Sequence, residues 1–151
     1  MESIKNNFDN PQVYKLLINH FTELKSVSPK DSTHVLDIKG LKHKSIQFWS
    51  FWKSNKLFGC GAIKFLEKGH GEFKSIRVAE DFRGKGKSKE IIKFLLIQAK
   101  KNNILKISVE TGSGDFFLPA RRLFIGSGFK YCLPFAHYTD DPNSCYFNII
   151  L

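Results

Sequence analysis

Apolar residues recur along the chain with two different periods, and the switches between those periods lay out its elements. Val13, Leu16, Leu17, His20, Phe21 and Leu24 fall three or four positions apart, the spacing of one face of a helix. Asn10-Pro11 supplies a capping residue and a proline for the first turn, so a helix is expected to about Lys25, ended by Ser28-Pro29. A short strand over Ile4 to Asp9 is expected before it, and a second, shorter helix from Ser32 to Leu41 after it. Ile46 to Trp52 is rich in β-formers, Lys53 to Lys56 is turn-like, and Leu57 to Glu67 reads as the return strand of a hairpin.

Lys68-Gly69-His70-Gly71 makes a further turn, and Glu72 to Val78 alternates except near Ser75 to Arg77, where a bulge accounts for the break. Helical spacing returns at Ile91, Ile92, Phe94, Leu95, Leu96 and Ala99 and runs out at Lys101-Asn102-Asn103. Ile104 to Glu110 is then a strand. Leu118 to Phe124 is a helix opened by Pro119 and closed by Gly126-Ser127-Gly128. Phe129 to Phe135 and Ser144 to Leu151 read as two closing strands. This order implies a mixed α/β (α+β) fold, a mostly antiparallel sheet of about seven strands with helices on both faces.

Composition narrows the picture. A chain of 151 residues fits one domain, spanning 1–151, and can bury roughly 70% of its unfolded surface. Fifteen phenylalanines make the expected core aromatic. The N-terminal segment has no apolar stretch of signal-peptide type, and no segment approaches the roughly 20 apolar residues of a membrane span, so a cytoplasmic protein without a membrane partner is expected. Cys60, Cys132 and Cys145 are widely spaced without a Cys-x-x-Cys pair, which argues for reduced thiols and no metal site. The formal charge of +10 favours polyanionic partners, nucleic acid and phosphorylated cofactors among them.

One run gives that charge a place. Arg83-Gly84-Lys85-Gly86-Lys87-Ser88 follows a strand and opens a helix. Glycines let backbone N–H groups approach a phosphate, the helix N-terminus adds partial positive charge, and Arg83, Lys85 and Lys87 add formal charge. A tight turn before a helix would use the same glycines. The spacing is neither that of a P-loop nor that of a dinucleotide fingerprint, whose last glycine would fall at Lys89.

The run resembles the signature of the GNAT N-acetyltransferase superfamily, Arg/Gln-x-x-Gly-x-Gly/Ala, with Arg83 and Gly86 matching and Ser88 in the last place. The resemblance extends over nearly the whole chain, through Asp81-Phe82 and the Ala120-x-x-Leu123-Phe124-x-x-x-Gly128-Phe129 run. Glu110-Thr111-Gly112-Ser113, Pro119-Ala120-Arg121 and Asp141-Pro142-Asn143-Ser144 resemble a bacterial subgroup of poorly defined substrate.

The resemblance implies an acetyl-CoA-dependent N-acetyltransferase acting by direct attack of an amine on the thioester. It implies that the backbone of Ile76, Arg77 and Val78 lies along the pantetheine arm, that Arg83, Gly84, Lys85, Gly86, Lys87 and Ser88 hold the pyrophosphate, and that Phe117 stands where many members carry a pantetheine-contacting Asn. Glu72 matches a position where some members carry a base, with a solvent-facing strand residue as the competing reading. Glu110 faces the same cleft, or else caps the Thr111-Gly112 turn. Phe124 replaces the Tyr that protonates the leaving thiolate in many members; Tyr131 or Tyr138 could substitute, or the thiolate could leave unassisted. The family builds its acceptor pocket from the places of Ser28 to His43 and His137 to Asn143, where His34 stands; Trp49 and Trp52 are further candidates for contact.

Two other functions fit the sequence. A GNAT-fold protein could bind acyl-CoA as a sensor, which Phe124 favours. A basic domain could bind nucleic acid through Lys85 to Lys106, but no helix-turn-helix or RNP pattern is present, so nucleic acid is a poor expectation. The acceptor is a small-molecule amine or a protein amine, with the basic balance disfavouring polycations. A homodimer is compatible with the sequence.

Overall fold

The computed structural model describes residues 1–151. Strands β1 (Glu2–Lys5), β2 (Ile46–Lys53), β3 (Lys56–Phe65), β4 (His70–Val78), β5 (Lys106–Gly112), β6 (Lys130–Tyr131) and β7 (Ser144–Ile150) form one sheet in the order β1-β2-β3-β4-β5-β7-β6. Every neighbouring pair is antiparallel except β4 with β5. Helices α1 (Pro11–Val27) and α2 (Ile38–Leu41) cover one face, and α3 (Lys87–Lys101) and α4 (Leu118–Gly126) cover the other. The expected mixed sheet with helices on both faces is the observed one.

The two faces have separate cores. Asn10 caps α1, its Oδ1 accepting from Gln12 N at 2.9 Å and Val13 N at 3.4 Å. The helix then buries Val13, Leu17 and Phe21 against Phe48, Cys60 and Ala62 of β2 and β3. Each such side chain contributes roughly 1.5–3 kcal/mol when fully buried. On the other face Ile91, Ile92, Leu95 and Ala99 of α3 pack with Phe51, Phe58 and Phe73, and Phe124 of α4 with Phe129 and Phe147. Trp49 and Trp52 are both core residues, one on each face.

Several boundaries differ from those expected. Strand β1 stops at Lys5 because Asn6 is left-handed, at φ 54°, and its Oδ1 accepts from Phe48 N; Phe8 then folds onto Phe48. The expected Ser32–Leu41 helix is a 3-10 turn at Lys30–Ser32, an irregular stretch, and only the single turn of α2. Ser32 is drawn away to hydrogen-bond Asp141, and Asp37 caps a new start by accepting from Gly40 N at 2.8 Å. His70 and Gly71 belong to β4, where His70 Nε2 meets Ser108 Oγ at 2.7 Å, so the turn narrows to Lys68-Gly69. The expected Phe129–Phe135 strand shrinks to two residues: Pro134 has no N–H to pair, and Ala136 is left-handed. All three cysteines are free, and no helix is long and apolar enough to cross a membrane.

Candidate active site

Strands β4 and β5 pair at only three positions, His70 with Lys106, Gly71 with Ile107 and Glu72 with Ser108. Beyond Glu72, β4 has no partner on that side, while β5 continues beside β7 as far as Gly112. The cause is the expected bulge. Cys60 pairs with Arg77 and Ala62 with Lys74, so Ser75 and Ile76 together oppose Gly61, and Ser75 is left-handed at φ 54°. A bulge bends its strand and increases the local twist. The result is a cleft of about 660 Å³, walled by Lys74 to Val78 on one side and Val109 to Gly112 on the other.

One end of the cleft is made of backbone. Gly84 and Gly86 have φ of 75° and 76°, and an added Cβ at either would meet nothing within 4 Å. Glycine is needed there for handedness, not for space. No side chain caps α3, and the first N–H to donate into the helix is that of Glu90, to Gly86 O at 3.3 Å. The amides before it are left to an outside acceptor, at the positive end of the helix dipole. Arg83 Nε donates to Val78 O at 3.4 Å, tying the loop to the end of β4. Lys87 Nζ lies 3.2 Å from both Glu90 oxygens, and Lys85 lies over the Phe82 ring without lining the cleft. Phe117 and Phe124 line the opposite side, and Arg121 Nη1 fixes the loop before α4 by donating to Gly112 O and Gly114 O, both at 2.8 Å.

The other end is made of side chains. Glu72 is 1% exposed and does not line the cleft. Tyr138 OH donates to its Oε2 at 2.6 Å, and Lys74 Nζ lies 3.4 Å from the same oxygen while donating to Tyr138 OH and to His34 O, each at 3.0 Å. Burial, and after it the charge of Glu72, pushes the Tyr138 phenol far above its usual range, so it remains a donor. Arg77 reaches across to α1 and pairs with Glu23, whose carboxyl its hydrogen bond holds below the usual range. His20 beside them is pushed down to about 4 by burial, with the Arg77 charge adding to it, and is neutral at pH 7. Glu110 stands on the facing wall, and burial raises its carboxyl to about 7, partly opposed by the Ser144 hydroxyl and, after it, the Lys74 charge.

Of the residues expected at the site, Ile76, Arg77, Val78, Arg83, Gly84, Gly86, Lys87, Ser88, Glu110 and Phe117 all line the cleft; Glu72 and Lys85 do not. His34 lines it and stacks edge-on to Tyr138, with ring centres 5.0 Å apart. Tyr131 stands on the outer strand β6 against Phe147. Sequence reasoning passed over Lys74, Glu23 and His20. The first could have been found from its place two residues after Glu72, which puts both side chains on one face of a strand. The α1 pair had no signal, because only the fold brings α1 to Arg77. No group of three or more His, Cys, Asp or Glu side chains is gathered to hold a metal ion.

The site is thus a sheet parted at its one parallel join, with an uncapped helix N-terminus at the mouth of the gap. The chain belongs to the acetyltransferase (GNAT) family, whose model matches residues 10–129. It is 41% identical over 135 residues to a Bacillus subtilis protein named uncharacterized N-acetyltransferase YsnE, covering 89% of each chain. It is 35% identical over 141 residues to the Escherichia coli protein named uncharacterized N-acetyltransferase YedL, covering 93% of this chain and 89% of that one. Its fold also matches a Bacillus subtilis acetyltransferase solved in complex with CoA, with a TM-score of 0.74 at 17% identity over 99% of this chain and 98% of the other.

Proposed function

We propose that the protein is an N-acetyltransferase that moves an acetyl group from acetyl-CoA to an amine by direct attack in a ternary complex. The observation that carries this reading is the conjunction at one cleft of a β4 edge left unpaired from Phe73 onward and the uncapped α3 N-terminus behind Gly84 and Gly86. Family membership and the CoA complex of the Bacillus subtilis fold relative support it. We take residues 1–151 to act as one domain, since both cores share one sheet, and assign it to the cytoplasm, where its three free cysteines stay reduced.

Acetyl-CoA supplies the activated thioester carbonyl. In this reading the amides from Gly84 to Lys89 bind the pyrophosphate, with Arg83, Lys85 and Lys87 adding charge. The backbone of Ile76, Arg77 and Val78 aligns the pantetheine arm, and Phe117 packs beside it. An amide near the bulge polarises the carbonyl. Glu110, with a pKa raised to about 7, accepts the amine proton, since a base works best with a pKa near the operating pH. Glu72 acts through Lys74 and Tyr138, fixing the wall opposite Glu110. Phe124 offers no proton, so the thiolate leaves unassisted.

Thermal unfolding with CoA, acetyl-CoA and ATP, followed by an amine screen, tests the proposal. Ligand at about 100 times its dissociation constant should stabilise the fold by roughly 2.7 kcal/mol. Both CoA forms should do so, ATP only weakly. No response to either CoA form would overturn the reading. Phe124, buried at the cleft wall, favours a second reading as an acyl-CoA sensor, which would show full CoA stabilisation without turnover of any amine.

A further inference from the structure

Two cations of β4 line the acceptor end of the cleft, and their hydrogen-bonding states differ. Lys74 is engaged: its ammonium has Tyr138 OH, His34 O and Glu72 Oε2 around it, which accounts for its three donors. Arg77 is not. It gives Nη2 to Glu23, while its Nε is buried without a partner and its Nη1 has no acceptor within the protein. A guanidinium carries five N–H donors in a fixed fork suited to a carboxylate. Its neighbour Ser75 also lines the cleft, with a buried hydroxyl that has no partner. Buried donors on two cleft-lining residues of one strand cost stability unless something accepts from them.

The same end of the cleft is bounded. Its outer wall, Ser32 to Leu36, is held from behind: Ser32 Oγ donates to Asp141 Oδ2 at 2.6 Å, Asn143 Nδ2 donates to Ser32 Oγ at 3.4 Å, and Lys74 holds His34 O at 3.0 Å. A wall tied at Ser32 and at His34 limits the length of what can lie beneath it. A net charge of +10 over the whole chain further favours an acceptor bearing negative charge.

Resting on the acetyl-transfer reading, we infer that the acceptor is a small amine that carries a carboxylate, held by the Arg77 guanidinium and the Ser75 hydroxyl with its amine turned toward Glu110. The amine nitrogen forms the new bond to the acetyl carbon, the carbon–sulfur bond breaks with its electron pair leaving on the CoA sulfur, and the amine proton passes to Glu110. Nothing is oxidised or reduced. Arg77 is the residue that selects the acceptor.

The test compares kcat/KM for acetyl transfer to matched amines, an amino acid with a free carboxylate, its carboxamide and a short lysine peptide, together with calorimetric binding of CoA. The native protein should prefer the acid to the amide by about 10- to 100-fold, the range for a charge-assisted contact, with most of the difference in KM. Arg77→Gln should reduce the acid-to-amide ratio to near one. Glu23→Gln, which removes the competing carboxylate, should raise the ratio, an outcome that a merely structural ion pair would not give. Should Arg77→Gln fail to fold, the native ratio and its change in Glu23→Gln decide. Equal use of acid and amide, a ratio that survives Arg77→Gln, or preference for the peptide would overturn the inference while CoA binding stands. Absence of CoA binding and of all turnover would instead overturn the proposed function, and this inference with it.

Discussion

The two ends of the cleft solve the problem of holding a ligand with different materials. In the proposed reading the binding groups at the phosphate end are main-chain amides, presented by two left-handed glycines and a helix that no side chain caps. At the acceptor end they are side chains gathered from α1, β4, β5 and the loop before β7, locked by Glu72, Lys74, Tyr138 and the Glu23–Arg77 pair. A site made of backbone tolerates many side chains and depends on conformation. A site made of side chains tolerates few substitutions, and its failures spread to the fold. Substitutions at the two ends should therefore fail in different ways.

The largest effect is expected at Gly86→Glu. It should weaken CoA binding in calorimetry by roughly 100-fold or more through like-charge repulsion. Its cost to stability should be only about 1–2 kcal/mol, the left-handed penalty of one residue, because a Cβ there meets nothing.

Next is Glu110→Gln, which should lower kcat by about 100-fold, within the range for a lost general base. The native rate should rise with pH through about 7, and the variant should lose that rise. The sign for stability is opposite. A carboxyl raised from 4.5 to about 7 binds its proton more tightly when folded, so stability is greatest at low pH and falls as pH climbs between those values. Above pH 7 the Gln variant should thus be more stable than the native protein, by on the order of 2 kcal/mol.

Tyr138→Phe should do the reverse of Gly86→Glu. Urea denaturation should show a loss of about 1–3 kcal/mol, because a buried carboxylate loses its shortest hydrogen bond, while CoA affinity stays near native. Smallest is Ser32→Ala, which should leave stability and CoA affinity nearly unchanged and raise the acceptor KM a few-fold by loosening the wall over the cleft.

The same contrast explains what the sequence made readable. The loop Arg83 to Ser88 is contiguous and its conformation is written in glycine spacing, so its place between a strand and a helix, at the mouth of the cleft, was readable without a structure. The bulge near Ser75 showed as a break in alternation. The acceptor end is assembled from Glu23, Lys74, Glu110 and Tyr138, far apart in the chain, and no local pattern links them. Glu72 was legible as a special strand residue but not as a buried one, because its burial depends on Tyr138, sixty-six positions away. The Ser32–Leu41 helix failed for a related reason: a long-range bond from Ser32 to Asp141 competes with local helical pairing.

The three-pair join of β4 to β5 also has a bearing on the order of folding. Strands β2 to β4 pair as successive hairpins, whereas the join requires α3 to cross over before parallel pairing can begin, and contacts of that range form slowly. Ile107 lies at the join and is fully buried. Ile107→Val, at a cost of about 0.5–1.5 kcal/mol, should therefore speed unfolding and leave the folding rate nearly unchanged in stopped-flow measurements. An equal slowing of folding would place the join in the nucleus instead. In a chain that folds in this order, the gap between β4 and β5 acquires its shape only after the β2–β4 hairpins have formed.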